Sequence, residues 1–249
     1  MAGSPAAGVD VMGMSVSWLS DQGEVRQLLP EVTQIAFEAV PAVREFPSYR
    51  GQRHFPGLYY AATVDGHVGF ESWLERDHAI MLDFDPQVVG FASQPFWLSW
   101  RGADGQERRH APDFFARLAG GRGLVIDCRP ADRIDERSGA AFAVMRYACD
   151  RAGWGYQLVG EIDRIRAVNL RWLAGYRHRR YGQPGGLAAA VTAAFEVPAP
   201  LLAQAASAGD PIVVLPVVFH LLWTGQLTAD LSAVLNDGTL VRVSRGEGR

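Results

Sequence analysis

Asp113, Asp127 and Arg129 are the residues whose types and spacing lend themselves most directly to chemistry. Asp113 follows Pro112 and precedes Phe114 and Phe115. Asp127 closes the apolar run Leu124-Val125-Ile126, and Arg129 lies two positions further on. Strand side chains alternate faces, so Asp127 and Arg129 share one face while Ile126 and Cys128 share the other. A hairpin around Gly120-Gly121 lays the Asp113 strand beside them. Carboxylates on adjacent strands can hold one hard cation, and Mg²⁺ takes oxygen ligands while keeping water. Such an ion polarises a phosphate and lowers the pKa of an attacking water. A guanidinium there stabilises charge in the transition state. The implied chemistry is metal-assisted phosphodiester hydrolysis. The bland alternative has Asp113 opening a strand after a turn and Asp127 on a solvated edge.

Arg129 can supply a fixed charge but not a proton, because guanidinium stays protonated. The chain contains no lysine and all 24 basic residues are arginine, so Arg at this position reflects a general bias. Glu75 is the third acidic candidate. Ser72-Trp73-Leu74-Glu75 fits a capping box, in which Glu75 reaches back to the helix start. The same Glu, on a helix ahead of the sheet, can also project towards a metal, and Glu71 is its neighbouring competitor. His110 reads as a structural or phosphate-contacting residue, since no second His has ligand spacing. Arg164, Arg166, Arg171, Arg177, Arg179 and Arg180, interleaved with Trp172, Tyr176 and Tyr181, form the densest basic stretch. Such a stretch can contact phosphates and bases, or simply be the solvated face of a helix. Trp73, Trp97 and Trp100 are assigned to the core, and Gln94 to a strand end.

The elements that must position these residues follow from patterning. Residues 1–14 lack periodicity and read as disordered, with a strand over Val16 to Leu19. Pro41 to Pro56 reads as an irregular arm. Leu58 to Val64 reads as a strand before an Asp65-Gly66 turn, and Ser72 to Phe84 as a helix. Four strands follow, over Val88 to Ala92, Phe96 to Trp100, Arg108 to Arg117 and Gly123 to Arg129. Gly102 to Gly105 turns one hairpin and Gly120-Gly121 another. Ile134 to Ala152 reads as a helix, Gly155 to Val159 as a strand and Ile162 to Tyr176 as a helix. This order suits an α/β fold with a central mixed sheet flanked by helices. Residues 182–186 read as a linker between a domain of residues 15–181 and a small helical domain of residues 187–249. In the latter, three short helices precede a strand over Leu240 to Val243.

The length of 249 residues suffices for one large or two modest domains. The net charge of −3 argues against strong, free-standing DNA binding, so any nucleic-acid contact is local or shared with a partner. Cys128 and Cys149 suggest neither a disulfide framework nor a zinc site. The run Ile212 to Phe219 is too short to span a bilayer and contains Pro216, so a cytoplasmic protein without membrane contact is expected.

Pro112-Asp113 with Asp127-x-Arg129 has the form of the PD-(D/E)xK nuclease core, with Arg in place of Lys. Further motifs stand in order around it: Phe70-Glu-Ser-Trp-Leu-Glu-Arg-Asp77, Leu82-Asp-Phe-Asp-Pro86, Ser93-Gln-Pro95, His110-Ala-Pro-Asp-Phe-Phe115 and Val125-Ile-Asp-Cys-Arg129. Together they cover roughly residues 45–175 and resemble the TnsA-like endonuclease subunit of heteromeric transposases. The resemblance implies a restriction-endonuclease-like fold and cutting of double-stranded DNA at transposon ends with Mg²⁺ or Mn²⁺. It implies that Glu75, Asp113 and Asp127 hold the metal and act in catalysis with Arg129. It implies two partners, a TnsB-like transposase and a TnsC-like AAA+ ATPase. It also implies a C-terminal helix-turn-helix or winged-helix domain over residues 198–244. There a helix from Pro211 to Leu222, a turn at Gly225 and a helix capped by Thr228 running to Leu235 are expected. A helical dimerisation cap fits the same region. Two other readings of the whole chain stay open: a stand-alone restriction or defence nuclease, and a catalytically silent DNA-binding or scaffold protein.

Overall fold

A computed structural model describes residues 10–44, 55–182 and 186–244. The protein is a mixed α/β structure that divides into two compact units. One takes in the described residues up to Leu82 together with Gln87–Glu161; the other takes in Asp83–Pro86 and the described residues from Ile162 onward. The division thus falls ahead of the expected linker at 182–186, of which residues 183–185 lie outside the described residues.

In the first unit, β1 (Asp10–Ser20) and β2 (Gly23–Leu28) form a hairpin, and β3 (Gly57–Ala61) and β4 (Gly66–Phe70) form another. Then come α1 (Trp73–Phe84, its last two residues counted with the other unit), β5 (Val88–Ser93), β6 (Trp97–Arg101), β7 (Glu107–His110), β8 (Phe114–Leu118), β9 (Gly123–Cys128), α2 (Glu136–Ala152) and β10 (Gly155–Val159). Two four-stranded sheets result, in the orders β2-β1-β6-β7 and β10-β9-β8-β5. The second is mixed. β5, β8 and β9 pair antiparallel, whereas β9 and β10 pair parallel, which requires the crossover that α2 provides. β9 is buried from Gly123 to Asp127, as its apolar run demands of a central strand. The Asp135 side chain caps α2 by accepting from Ser138 N–H, and Gly153 ends it at φ 74°, where a side chain would be strained.

The core between the sheets and α2 is aromatic and gathers on Phe37, which is fully buried. Its ring meets those of Trp18, Phe96, Phe115 and Trp154 at centroid separations of 5.6, 4.7, 5.6 and 5.7 Å. Arg117 fastens the segment carrying Phe37, through Nε and Nη2 to the two Glu38 carboxylate oxygens and through Nη2 to the Ile35 carbonyl.

Several expectations are corrected here. β1 begins at Asp10, within the stretch read as disordered, whose residues 1–9 lie outside the described residues. β2 and β4 have polar or glycine-broken patterns that hid them. Much of the arm, residues 45–54, lies outside the described residues. The single strand expected over Arg108 to Arg117 is two strands in different sheets, with Ala111-Pro112-Asp113 crossing between them. Pro112 has no N–H to continue a ladder. Trp100 is buried, but Trp73 is 49% exposed, stacked on Phe55 and covered by the Arg76 guanidinium.

The second unit holds α3 (Arg164–Leu173), α4 (Leu187–Ala194), α5 (Leu201–Ala208) and α6 (Pro211–Trp223), with a small antiparallel sheet in the order β11-β13-β12. Its strands are β11 (Ala199–Pro200), β12 (Leu227–Thr228) and β13 (Leu240–Val243). Asp163 and Asp210 cap α3 and α6. The helix expected from Thr228 to Leu235 does not form. Thr228 pairs with Arg242, and Asp230 accepts from Ser232 N–H in a local turn that competes with helix. Buried Asn169 takes the Leu231 and Ala233 carbonyls and the Leu235 N–H, groups a helix would have used itself. Among the described residues no single helix is long and apolar enough to cross a membrane.

Candidate active site

Asp113 occupies the crossing between the two sheets, at the start of β8. Main-chain hydrogen bonds tie this point to its neighbours. Gln94 N–H donates to the Asp113 carbonyl and Val43 N–H to the Gln94 carbonyl, at 3.0 and 2.8 Å. The Asp113 carboxylate accepts from Cys128 N–H through Oδ2 at 2.6 Å, while Oδ1 has no protein partner among the described residues. Burial, then the negative charges of Glu75 and Asp127, push the Asp113 pKa well above the usual carboxylate range. The same three carboxylates add to burial in pushing the Cys128 thiol well up. Of the three acids singled out from the sequence, Asp113 thus feels the charges of the other two.

Glu75 sits in the first turn of α1, buried at 8% exposure. Its carboxylate accepts from Ser72 Oγ at 2.7 Å and from Glu71 N–H at 2.7 Å, while its own N–H donates to Ser72 Oγ. The capping arrangement is thus present, reaching one residue further back than the standard box. It does not remove Glu75 from the acidic cluster. Burial raises its pKa despite those hydrogen bonds, and Glu71 adds to the rise.

Asp127, at 1% exposure, is held from two sides. His110 Nε2 lies 2.8 Å from Oδ1, and Tyr156 O–H donates to Oδ2 at 2.8 Å. Burial, followed by the Asp127 charge and that hydrogen bond, pushes the Tyr156 phenol pKa up, so Tyr156 stays a donor. The His110 ring also packs edge-on against the Phe142 ring. Tyr156 was not evident in the sequence; only the parallel register of β10 on β9 brings it to this carboxylate.

Arg129 follows the end of β9. Its N–H continues the ladder to the Val159 carbonyl, but its Nε donates to the Arg133 carbonyl at 3.1 Å. The described hydrogen bonds point its guanidinium at the loop before α2, and its charge acts on Asp135. The cation that acts on Glu75 and Asp113 is Arg44 instead. The Arg-rich stretch belongs to the second unit. There Arg164, Arg166, Arg171, Arg179 and Arg180 are exposed and Arg177 is half-buried, with Arg180 over the Tyr181 ring and Arg177 bonded to the Ala174 carbonyl.

The donor chemistry at the cluster is carboxylate oxygen, which suits Mg²⁺ or Mn²⁺ rather than softer ions. The half-buried Asp113 carboxylate is repelled by those of buried Glu75 and Asp127, and a cation would relieve that repulsion. Among the described residues no group of three or more His, Cys, Asp or Glu side chains is placed so as to hold a metal ion as it stands. Asp113 Oδ1 and the second lone pairs of the other carboxylate oxygens are the donors on offer. No protein-family model matches the chain, and no curated protein matches it significantly.

Proposed function

We propose that the protein is a metal-dependent DNA endonuclease subunit of a heteromeric transposase, with Glu75, Asp113 and Asp127 holding Mg²⁺ or Mn²⁺. The observation that carries the reading is that Asp113, at the start of β8, feels the charges of Glu75 on α1 and of Asp127 at the end of β9, and that one of its carboxylate oxygens has no partner among the described residues. At the level of fold it is supported by a mixed α/β structure, in which the sheet β10-β9-β8-β5 has α1 before it and α2 as its crossover. A divalent ion there supplies Lewis-acid polarisation of a phosphodiester and a more acidic water. The residues of the chain do the rest. Ser72 and the Glu71 N–H orient Glu75, Cys128 N–H orients Asp113, and His110 with Tyr156 orients Asp127. Partner transposase and AAA+ ATPase subunits, and a winged-helix role for the second unit, belong to the same proposal. They rest on the ordered motifs between residues 70 and 129.

The test is nicking of end-bearing duplex DNA by the purified protein with its partner transposase, in Mg²⁺ or Mn²⁺. Asp113→Ala and Asp127→Ala each abolish nicking, and chelation does the same. Metal-independent cutting, or unchanged activity in both variants, overturns the assignment. The direction taken by Arg129 favours a second reading, a silent DNA-binding protein with the same fold. Calorimetric titration with Mn²⁺ separates the two, because the silent protein takes up no ion.

A further inference from the structure

We propose that Arg44, held in place by Gln94, is the phosphate-contacting cation of the carboxylate site, in the role the sequence pattern assigns to Arg129. The inference rests on the nuclease reading above and adds to it a residue and a substrate group: the phosphate of a nucleic-acid backbone.

The geometry begins with main chain. Val43 N–H to Gln94 C=O and Gln94 N–H to Asp113 C=O form a ladder that lays residue 44 beside the Asp113 strand end. Arg44 Nε then donates to Gln94 Oε1 at 2.8 Å, and Nη2 to Glu71 Oε2 at 2.7 Å. A guanidinium has five N–H donors, so three remain for a ligand. Glu71 does not cancel the charge, because a partly exposed ion pair is weak and exchangeable. The side chain is 41% exposed and lines a cleft with Trp97 and Arg109, whose guanidinium lies 4.2 Å over the Trp97 ring. A polyanion entering that cleft meets two cations, Arg44 and Arg109, and one carboxylate, Glu24.

Gln94 supplies the independent observation. It is 1% exposed, yet its Nε2 has no hydrogen-bond partner among the described residues. Its orientation is fixed, since flipping the amide would set NH₂ against the Arg44 N–H. Its backbone is left-handed, with φ 45°, which is uncommon for a residue other than glycine. A buried amide donor without an acceptor is costly, and strained backbone is kept where it serves a site. Gln94 is thus a positioning residue for Arg44 with a donor of its own to spare.

The experiment compares wild type, Arg44→Ala, Arg44→Lys and Arg129→Ala in Mn²⁺ titration and in single-turnover nicking of the end-bearing duplex. Arg44→Ala keeps Mn²⁺ affinity within roughly threefold and nicks about 100-fold more slowly, the scale of a lost transition-state donor. Arg44→Lys keeps the charge without the fork and loses about tenfold. Arg129→Ala stays within roughly fivefold of wild type, and millimolar guanidinium ion restores part of the Arg44→Ala rate. Nicking by Arg44→Ala at the wild-type rate overturns the proposal while leaving the nuclease reading intact. So does an Arg44→Ala that loses Mn²⁺ binding along with nicking and is not rescued, since that marks a structural role. If wild type neither binds Mn²⁺ nor nicks, the nuclease reading falls and this inference with it.

Discussion

A half-buried carboxylate that feels two others, with one oxygen unpartnered among the described residues, works against the fold that holds it. Asp113 has its pKa raised by burial and by Glu75 and Asp127. The folded state therefore retains a proton that the unfolded chain has released. Stability from this group is fully present below the ordinary carboxylate range and is lost as pH rises through the raised value. Asp113→Asn is accordingly more stable than wild type at neutral pH without divalent ions, by about 2–5 °C in melting temperature. The gain shrinks as pH falls from the raised value towards about 4 and is gone below it. A scan of both proteins across pH checks this, and a less stable Asp113→Asn at neutral pH contradicts it. The acidic residues of the site were legible because carboxylates in or beside apolar strands stand out. Arg44 was not, because it lies in an irregular segment with no periodicity to mark it. Gln94 was noticed, but as a strand end.

Elements set these residues in place through a few long-range contacts. His78 on α1 is buried, and its Nε2 lies 2.8 Å from the Gly160 carbonyl just after β10, so the neutral ring donates there. Burial lowers its pKa below the ordinary 6.5. That contribution to stability is present above the unfolded value and is lost as pH falls through the lowered one, opposite in sign to Asp113. His78→Gln, which can still donate but does not titrate, loses less stability than wild type between neutral pH and about pH 5. Parallel thermal melts decide the point, and identical acid profiles would remove His78 from the account. At this scale the sequence reading succeeded where a single period governed, as in α1, β9 and β10. It failed where side chains from distant segments claimed the backbone. Asn169 takes three main-chain groups between Leu231 and Leu235, so a stretch with helical composition is held as a turn. No local pattern announces that.

For the first unit as a whole, one ring organises the interior. Phe37, fully buried and bordered by four aromatic rings, lies in a short turn of helix between strands, where sequence gives no hint of centrality. Phe37→Ala costs about 3–5 kcal/mol, enough to lower the denaturation midpoint sharply. Denaturant titration followed by tryptophan fluorescence reads it, since Trp18 and Trp154 border the same ring. A loss below about 1 kcal/mol would place the centre of the core elsewhere. The frame of the acidic site is built differently. Two of its links, Val43 to Gln94 and Gln94 to Asp113, run from main chain to main chain. Such a scaffold is indifferent to the side chains it carries. Acids and cations at these positions can be exchanged, retuned or silenced by descent without disturbing the frame. Two proteins sharing this backbone can therefore differ entirely in chemistry.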